Sequence, residues 1–266
     1  MRLFVLGSGS SGNCLVAEAE GERIVVDAGM GPIRATSRMR ELGAALTTSR
    51  IPLGVIVTHH HGDHAAHALP IVRALGAPLF AHDRLDAPQA RARTDVQPYV
   101  PGRPLPLGPF VVEALAVPHD APHVAVRVSA GGKRFAVATD VGHPTRELRA
   151  FLAGCDHVFL EANYCARMLE TGPYPTSLKR RVGGPLGHLS NDQAAELARS
   201  LVDTRVQSLV LVHVSRANNS PDRALDVVAS RVQRMHVELL PQGQARRFDV
   251  VGGAGLRGAE QLSLGF

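Results

Sequence analysis

His59-His60-His61-Gly62-Asp63-His64 follows the short apolar run Val55-Ile56-Val57 and Thr58, and precedes a segment with helical patterning. Imidazole and carboxylate side chains are the usual donors to zinc and related ions. In an extended segment alternate side chains share a face, so His59 and His61 can address one ion while His60 points elsewhere. Beyond the turn at Gly62, Asp63 and His64 can address a second ion. A packed core has no use for four donors in six residues, so the stretch reads as a metal grip at the C-terminal end of a buried strand.

Working outward, strand-like runs precede and follow the grip at Arg2–Leu6, Leu15–Glu18, Arg23–Val26, Gly54–Val57, Phe110–Val117, Val124–Ser129, Arg134–Ala138, His157–Leu160, Ser208–Val212 and Val237–Leu240. Helical patterns separate them at Pro32–Leu42, His64–Leu75, Pro144–Leu152, Asn191–Leu201 and Pro221–Arg231. Pro32 and Pro221 suit the first helical turn, and Ser190-Asn191-Asp192 offers N-cap chemistry. Strand clusters followed by alternating strand and helix occur twice, which predicts an α/β fold of four αββα layers. The expected organisation is a single domain over residues 1–251, in two pseudo-halves of about 1–96 and 110–251. The Pro/Gly-rich stretch Gln97–Pro109 reads as the linker between them, and residues 252–266 as a loose tail.

Gly7-Ser8-Gly9-Ser10-Ser11-Gly12 matches the dinucleotide fingerprint and follows a strand. That fingerprint requires a helix immediately afterwards, because the pyrophosphate sits on the helix N-terminus. The continuation Asn13-Cys14-Leu15-Val16-Ala17-Glu18-Ala19 alternates like a strand instead, which is the wrong context for a dinucleotide fold. Ser8, Ser10, Ser11 and Asn13 remain candidates for holding phosphate oxygens.

Composition bounds the partners. The net charge is +5, and only Lys133 and Lys179 among the basic residues are not arginine. This balance is compatible with a polyanion but selects none. The chain has no Trp and three Tyr, which argues against a broad base-stacking surface and leaves phosphate contacts to dominate any nucleic-acid binding. Cys14, Cys155 and Cys165 are too scattered for a disulfide framework. No apolar run reaches the roughly 18 residues of a membrane span, and the N-terminus reads as a strand rather than a secretory signal. The expectation is a cytoplasmic protein without membrane contact, with a homodimer left open.

The hexapeptide fits the H-x-H-x-D-H signature and resembles the metallo-β-lactamase superfamily, whose other features follow in order. Asp27 ends the strand Ile24-Val25-Val26, where the resemblance implies a carboxylate that orients the metal-binding loop. His119, Asp140 and His213 each follow a strand. By resemblance His59, His61 and His119 hold one divalent ion, Asp63, His64 and His213 the other, and Asp140 bridges them. The implied cofactors are two Zn²⁺ or Mn²⁺ ions activating a water between them.

Glu161-Ala162-Asn163, Gly187-His188-Leu189-Ser190 and His213-Val214-Ser215-Arg216 together resemble ribonuclease Z, in which a Glu–His pair protonates the leaving oxygen. That gives Asp63, Glu161 and His188 the catalytic roles. The closer resemblance is to the YycJ/WalJ group of exonucleases. It runs from Gly7–Cys14 through Gly172-Pro173-Tyr174-Pro175 and Ser177-Leu178-Lys179 to Ser215–Asn219. It implies 5′→3′ degradation of DNA in preference to RNA, with Asn163, Lys179, Arg216 and Asn218 as further substrate contacts. Glu161–His188 is too short for an inserted domain and reads as a substrate-facing loop. The rivals are a transfer-RNA 3′-processing ribonuclease and a small-molecule metallo-hydrolase such as a lactonase or cyclic phosphodiesterase.

Overall fold

A computed structural model describes residues 1–82, 96–232, 234–250 and 257–258. Strands β1 (Arg2–Gly7), β2 (Cys14–Ala19) and β3 (Glu22–Val26) form an antiparallel meander. The Gly/Ser segment is therefore the turn of a hairpin. After α1 (Pro32–Glu41), strand β4 (Val55–Val57) joins β3 in parallel. The chain then passes through α2 (Gly62–Ala65) and α3 (Ala68–Leu75) to the parallel strands β5 (Leu79–His82) and β6 (Val96–Tyr99). One helix expected over His64–Leu75 is thus two, divided at Ala66-His67.

The second sheet begins with β7 (Leu105–Leu107), β8 (Phe110–Val117), β9 (His123–Ala130) and β10 (Lys133–Ala138), all antiparallel. Helices α4 (Arg146–Ala153), α5 (Ala166–Thr171), α6 (Thr176–Val182), α7 (Asn191–Arg199) and α8 (Pro221–Ala229) alternate with the parallel strands β11 (His157–Glu161), β12 (Ser208–Val212) and β13 (His236–Leu239). Strand β14 (Arg246–Asp249) crosses back to pair with β1, and β15 (Arg257–Gly258) pairs with β14. The Gln97–Pro109 stretch is more than a linker: it contains most of β6 and all of β7, each at one edge of its sheet. Proline is tolerated there because an edge strand leaves one row of N–H groups unpaired. The segment read as a loop over Glu161–His188 holds α5 and α6. The tail expected from Gly252 lies outside the described residues apart from β15.

Alternation along the strands accounts for the layers. Leu3, Val5, Val26 and Ile56 face Val126, Phe135, Phe159 and Val210 across the two sheets, with Phe110 and Phe248 closing the ends. The opposite faces bury Val25, Val55 and Val57 against Ala35 and Met39 of α1 and Ile71 of α3. On the other side Val158, Leu160 and Leu211 meet Leu148, Leu197 and Val228 of α4, α7 and α8. Helix, sheet, sheet, helix is the observed order, and the C-terminal ends of β3, β4, β10, β11 and β12 converge at one edge.

Candidate metal centre

The ends of these strands carry the histidines and carboxylates. Asp27, Asp140 and His213 each leave a strand with φ of 62°, 54° and 54°. The left-handed region costs non-glycine residues about 1–3 kcal/mol and persists where surrounding contacts hold it. Those contacts are present: Thr58 N and Oγ donate to Asp27 Oδ1, Val141 N donates to Glu161 beside Asp140, and His213 N donates to Ser8 Oγ at 2.8 Å. Gly29 lets the Asn13 turn and the metal-grip loop approach, since a Cβ there would lie 1.7 Å from the Asp63 carbonyl oxygen.

The imidazoles are aimed through their outer nitrogens. His64 Nδ1 contacts Asp27 Oδ2 at 2.7 Å and His119 Nδ1 contacts Gly187 O at 3.3 Å. His213 Nδ1 contacts Glu161 Oε2 at 3.3 Å. The Thr58 hydroxyl hydrogen goes to Asp27, so its oxygen can accept from His59 Nδ1 at 3.1 Å. In all four the acceptor on Nδ1 leaves the Nε2 lone pair turned toward the cluster, the arrangement that fixes tautomer and ring orientation in metal sites. His60 is exposed, while His59 and His61 lie with ring centroids 4.7 Å apart.

Ligand atoms of His59, His61 and His119 lie within 4.8 Å of one another. The same holds for Asp63, His64 and His213, and for His59, His64 and Asp140. Asp140 Oδ2 is 3.0 Å from His64 Nε2, and Asp140 Oδ1 is 3.8 Å from His213 Nε2 and 3.5 Å from His188 Nδ1. His59 Nε2 and Asp140 Oδ2 are buried without a hydrogen bond of good geometry. Buried polar atoms left unsatisfied are costly, and a cation among these donors supplies what they lack. Electrostatics points the same way. Burial works against charge on His64, yet Asp27 and Asp140 outweigh it and push the imidazole up to about 10. Burial likewise opposes charge on Asp140, but His213 and His64 hold its carboxyl well below the usual range. The cluster is built to hold positive charge between carboxylates, so the donor set fits divalent ions.

Glu161 is fully buried and serves two histidines at once. Its Oε1 accepts from Val141 N (2.7 Å) and Leu189 N (3.0 Å), and Oε2 faces His188 Nδ1 (3.1 Å) and His213 Nδ1 (3.3 Å). Burial raises a carboxyl pKa, but His188 and His213 outweigh it and bring Glu161 down to about 2. Burial also opposes charge on His188, and Glu161 overcomes it, so that imidazole titrates above its ordinary value. With Nδ1 engaged, the remaining proton of His188 sits on Nε2.

These groups line a cavity of about 370 Å³, within the range of ligand clefts. Of the residues singled out in the sequence, His61, Asp63, His119, Asp140, His188, His213, Asn163, Ser10 and Asn218 contribute to its wall. His59, His64, Asp27 and Glu161 stand behind it. Ser8 supports His213, and Asn13 Nδ2 reaches His64 Nε2 at 2.8 Å, so both touch the donor cluster from behind. Ser11 is away from the wall, its carbonyl accepting from Arg34. Arg216 reaches the Gln242 carbonyl and Lys179 the Glu170 carbonyl, neither at the wall. Tyr174, and Arg181 from the basic run Lys179-Arg180-Arg181 whose position beside the loop favours phosphate contact, also line the cavity, as do Asp120 and Gln242, to which no motif points. Asp120 follows His119 directly, which is the one local signal for it. Thr58, adjoining His59, was equally unforeseen. His123 packs behind His59 with ring centroids 4.3 Å apart and its Nε2 on Thr139 O.

Comparison with known proteins places this geometry. A family model described as the beta-lactamase superfamily domain matches residues 22–214. Exodeoxyribonuclease WalJ of Streptococcus pneumoniae is 29% identical over 233 residues, 83% of this chain and 84% of the relative. Exodeoxyribonuclease YycJ of Bacillus anthracis is 27% identical over 231 residues, 84% of this chain and 86% of the relative. Among solved structures, the metallo-beta-lactamase fold protein YhfI from Bacillus subtilis superposes with a TM-score of 0.71 at 20% identity, over 92% of this chain and 98% of that one. The short form of human tRNase Z gives 0.62 at 16% identity, over 92% and 98%. With its sandwich, its histidine–carboxylate cluster and a match reaching from β3 to beyond His213, this chain belongs to the beta-lactamase superfamily and is a metal-dependent hydrolase of that fold.

Proposed function

We propose that the protein is a two-metal nuclease that degrades DNA from the 5′ end. The observation that carries the reading is the Glu161–His188 pair, set 3.5 Å from Asp140 and facing the cavity beside the donor cluster. Its chemistry is that of a general acid for an alkoxide leaving group, and the relatives named as exodeoxyribonucleases supply the substrate class. His59, His61 and His119 would hold one ion, Asp63, His64 and His213 the second, with Asp140 between them; Zn²⁺ and Mn²⁺ suit these donors. Bound there, the ions would supply Lewis-acid charge and lower the pKa of a hydrolytic water. Glu161 keeps His188 charged and oriented, so that the Nε2 proton is available to the departing 3′-oxygen when the phosphodiester breaks. Asp27 and Thr58 keep His64 and His59 in the tautomers that present Nε2 to the cavity.

The test is digestion of single-stranded and duplex DNA, labelled at either end, beside a transfer-RNA precursor, with metal-loaded and chelator-treated protein. Metal-dependent release of a 5′ label as mononucleotides is expected. Preferential trimming of the RNA 3′ trailer would replace this reading with the ribonuclease one, and inertness towards both polymers would point to a small-molecule substrate.

A further inference from the structure

Arg181 and Asp120 face each other at the rim of the cavity, and neither has a part in the proton transfer derived above. Asp120 Oδ2 accepts from Arg181 Nε at 2.5 Å. Its other oxygen, Oδ1, lies 3.3 Å from both His61 Nε2 and His119 Nε2. The carboxylate is thus held by the guanidinium through one oxygen while the other faces the three-histidine end of the cluster. Arg181 is mostly exposed, with 59% of its side-chain surface accessible, whereas Asp120 is at 26%. An ion pair this open adds little stability, so its consequence is geometric. Holding Nε leaves the remaining guanidinium nitrogens as a planar fork at the cavity mouth, the arrangement that binds phosphate through two parallel hydrogen bonds.

Helix phase explains why this residue occupies the mouth. Leu178, Arg181 and Val182 all line the cavity, and positions separated by three and four residues share a helix face. Lys179 falls off that face, and its amine donates to the Glu170 carbonyl at 2.7 Å.

Resting on the nuclease reading, we infer that Arg181, aimed by Asp120, contacts a backbone phosphate of the substrate strand, and that Asp120 is a positioning residue. The phosphate concerned adjoins the scissile one, because Asp120 spans from the histidines to the guanidinium.

Binding of a fluorescein-labelled single-stranded oligonucleotide is to be measured by anisotropy in metal-loaded His188→Ala protein, with cleavage of the same strand by the wild type alongside. Adding Arg181→Ala is expected to weaken binding on the order of tenfold and to reduce the log–log salt slope by about 0.7, the amount for one lost phosphate contact to a single strand. With Asp120→Ala already present, Arg181→Ala should weaken binding far less, since the fork is no longer aimed, and bound metal should stay at the level of the parent. Equal effects of Arg181→Ala in both backgrounds would remove the positioning role. Unchanged affinity and slope in Arg181→Ala, with wild-type cleavage intact, overturns the phosphate contact. Metal loss in Asp120→Ala would show that its side towards His61 and His119 is the important one, and overturns the inference as well. A wild type that neither cuts nor binds the strand removes the nuclease reading itself.

Discussion

Thr58 gives its hydroxyl hydrogen to Asp27, and its oxygen thereby becomes the acceptor for His59 Nδ1. Replacing it with valine keeps the shape and removes both bonds, so His59 loses the partner that selects its tautomer. Metal affinity of Thr58→Val is expected to fall about 10–100-fold, the usual effect of losing such a support, as measured by competition with a chromophoric chelator; wild-type affinity would discount the hydroxyl's role. His188 stands on the other side of the mechanism. His188→Ala removes the proposed proton donor but leaves Asp63, His64, Asp140 and His213 in place, so turnover should drop about 10²–10⁴-fold while metal content holds. Loss of both ions in that variant would sink the assignment of His188 as the acid.

At the scale of elements, Asp156 pins the base of the parallel strands β10, β11 and β12. Its carboxylate accepts from Arg134 N at 2.7 Å and from Arg205 Nε at 2.9 Å and Nη2 at 3.0 Å. Burial opposes its charge, but Arg205 and the Arg134 N–H outweigh burial and lower its pKa. A depressed carboxyl stabilises the fold above its unfolded value of about 3.9, and that contribution disappears as pH falls through the lower folded value. Asp156→Asn should therefore cost about 1 kcal/mol at pH 7, a modest figure because Arg205 is 42% exposed. The gap should narrow as pH falls below about 4, as read from urea midpoints of chelated protein; a gap that does not change with pH contradicts the charge-based account. The same scale explains what sequence could and could not reveal. Strand ends followed by His or Asp were legible because Val55–Val57, Phe135–Ala138 and Ser208–Val212 are apolar runs that stop at one polar residue. Strand β14 escaped notice because three of its four residues, Arg246, Arg247 and Asp249, are charged and only Phe248 is buried. Helix α6 is hard to delimit because Gly172-Pro173-Tyr174-Pro175 reads as turn material, and without its phase Lys179, Arg180 and Arg181 cannot be ranked as phosphate contacts. Asp120 and Thr58 each adjoin a metal-site histidine, but their value depends on Arg181 and Asp27, distant in sequence.

For the whole molecule, the two sheets bring Asp27, Asp63, Asp140 and Glu161 to one edge together with His59, His61, His64, His119, His188 and His213, some from each half of the chain. An unfolded chain keeps only the local run His59–His64 and lacks the other donors, so ions that bind the folded protein more tightly stabilise it by mass action. Each ion held at about a hundred times its dissociation constant adds about 2.7 kcal/mol, which for a domain of this size raises the thermal midpoint by about 5–10 °C. The expected result is a stepwise rise in midpoint when chelated protein is titrated with Zn²⁺ or Mn²⁺, followed by scanning fluorimetry and metal analysis. His188→Ala should show the full rise, since the role proposed for His188 is proton transfer and not metal binding. Asp140→Asn, which weakens a donor shared by both groups, should show a reduced one. A single step with one bound ion would reduce the centre to a mononuclear site, and no rise with either metal would overturn the two-ion reading while leaving the fold untouched.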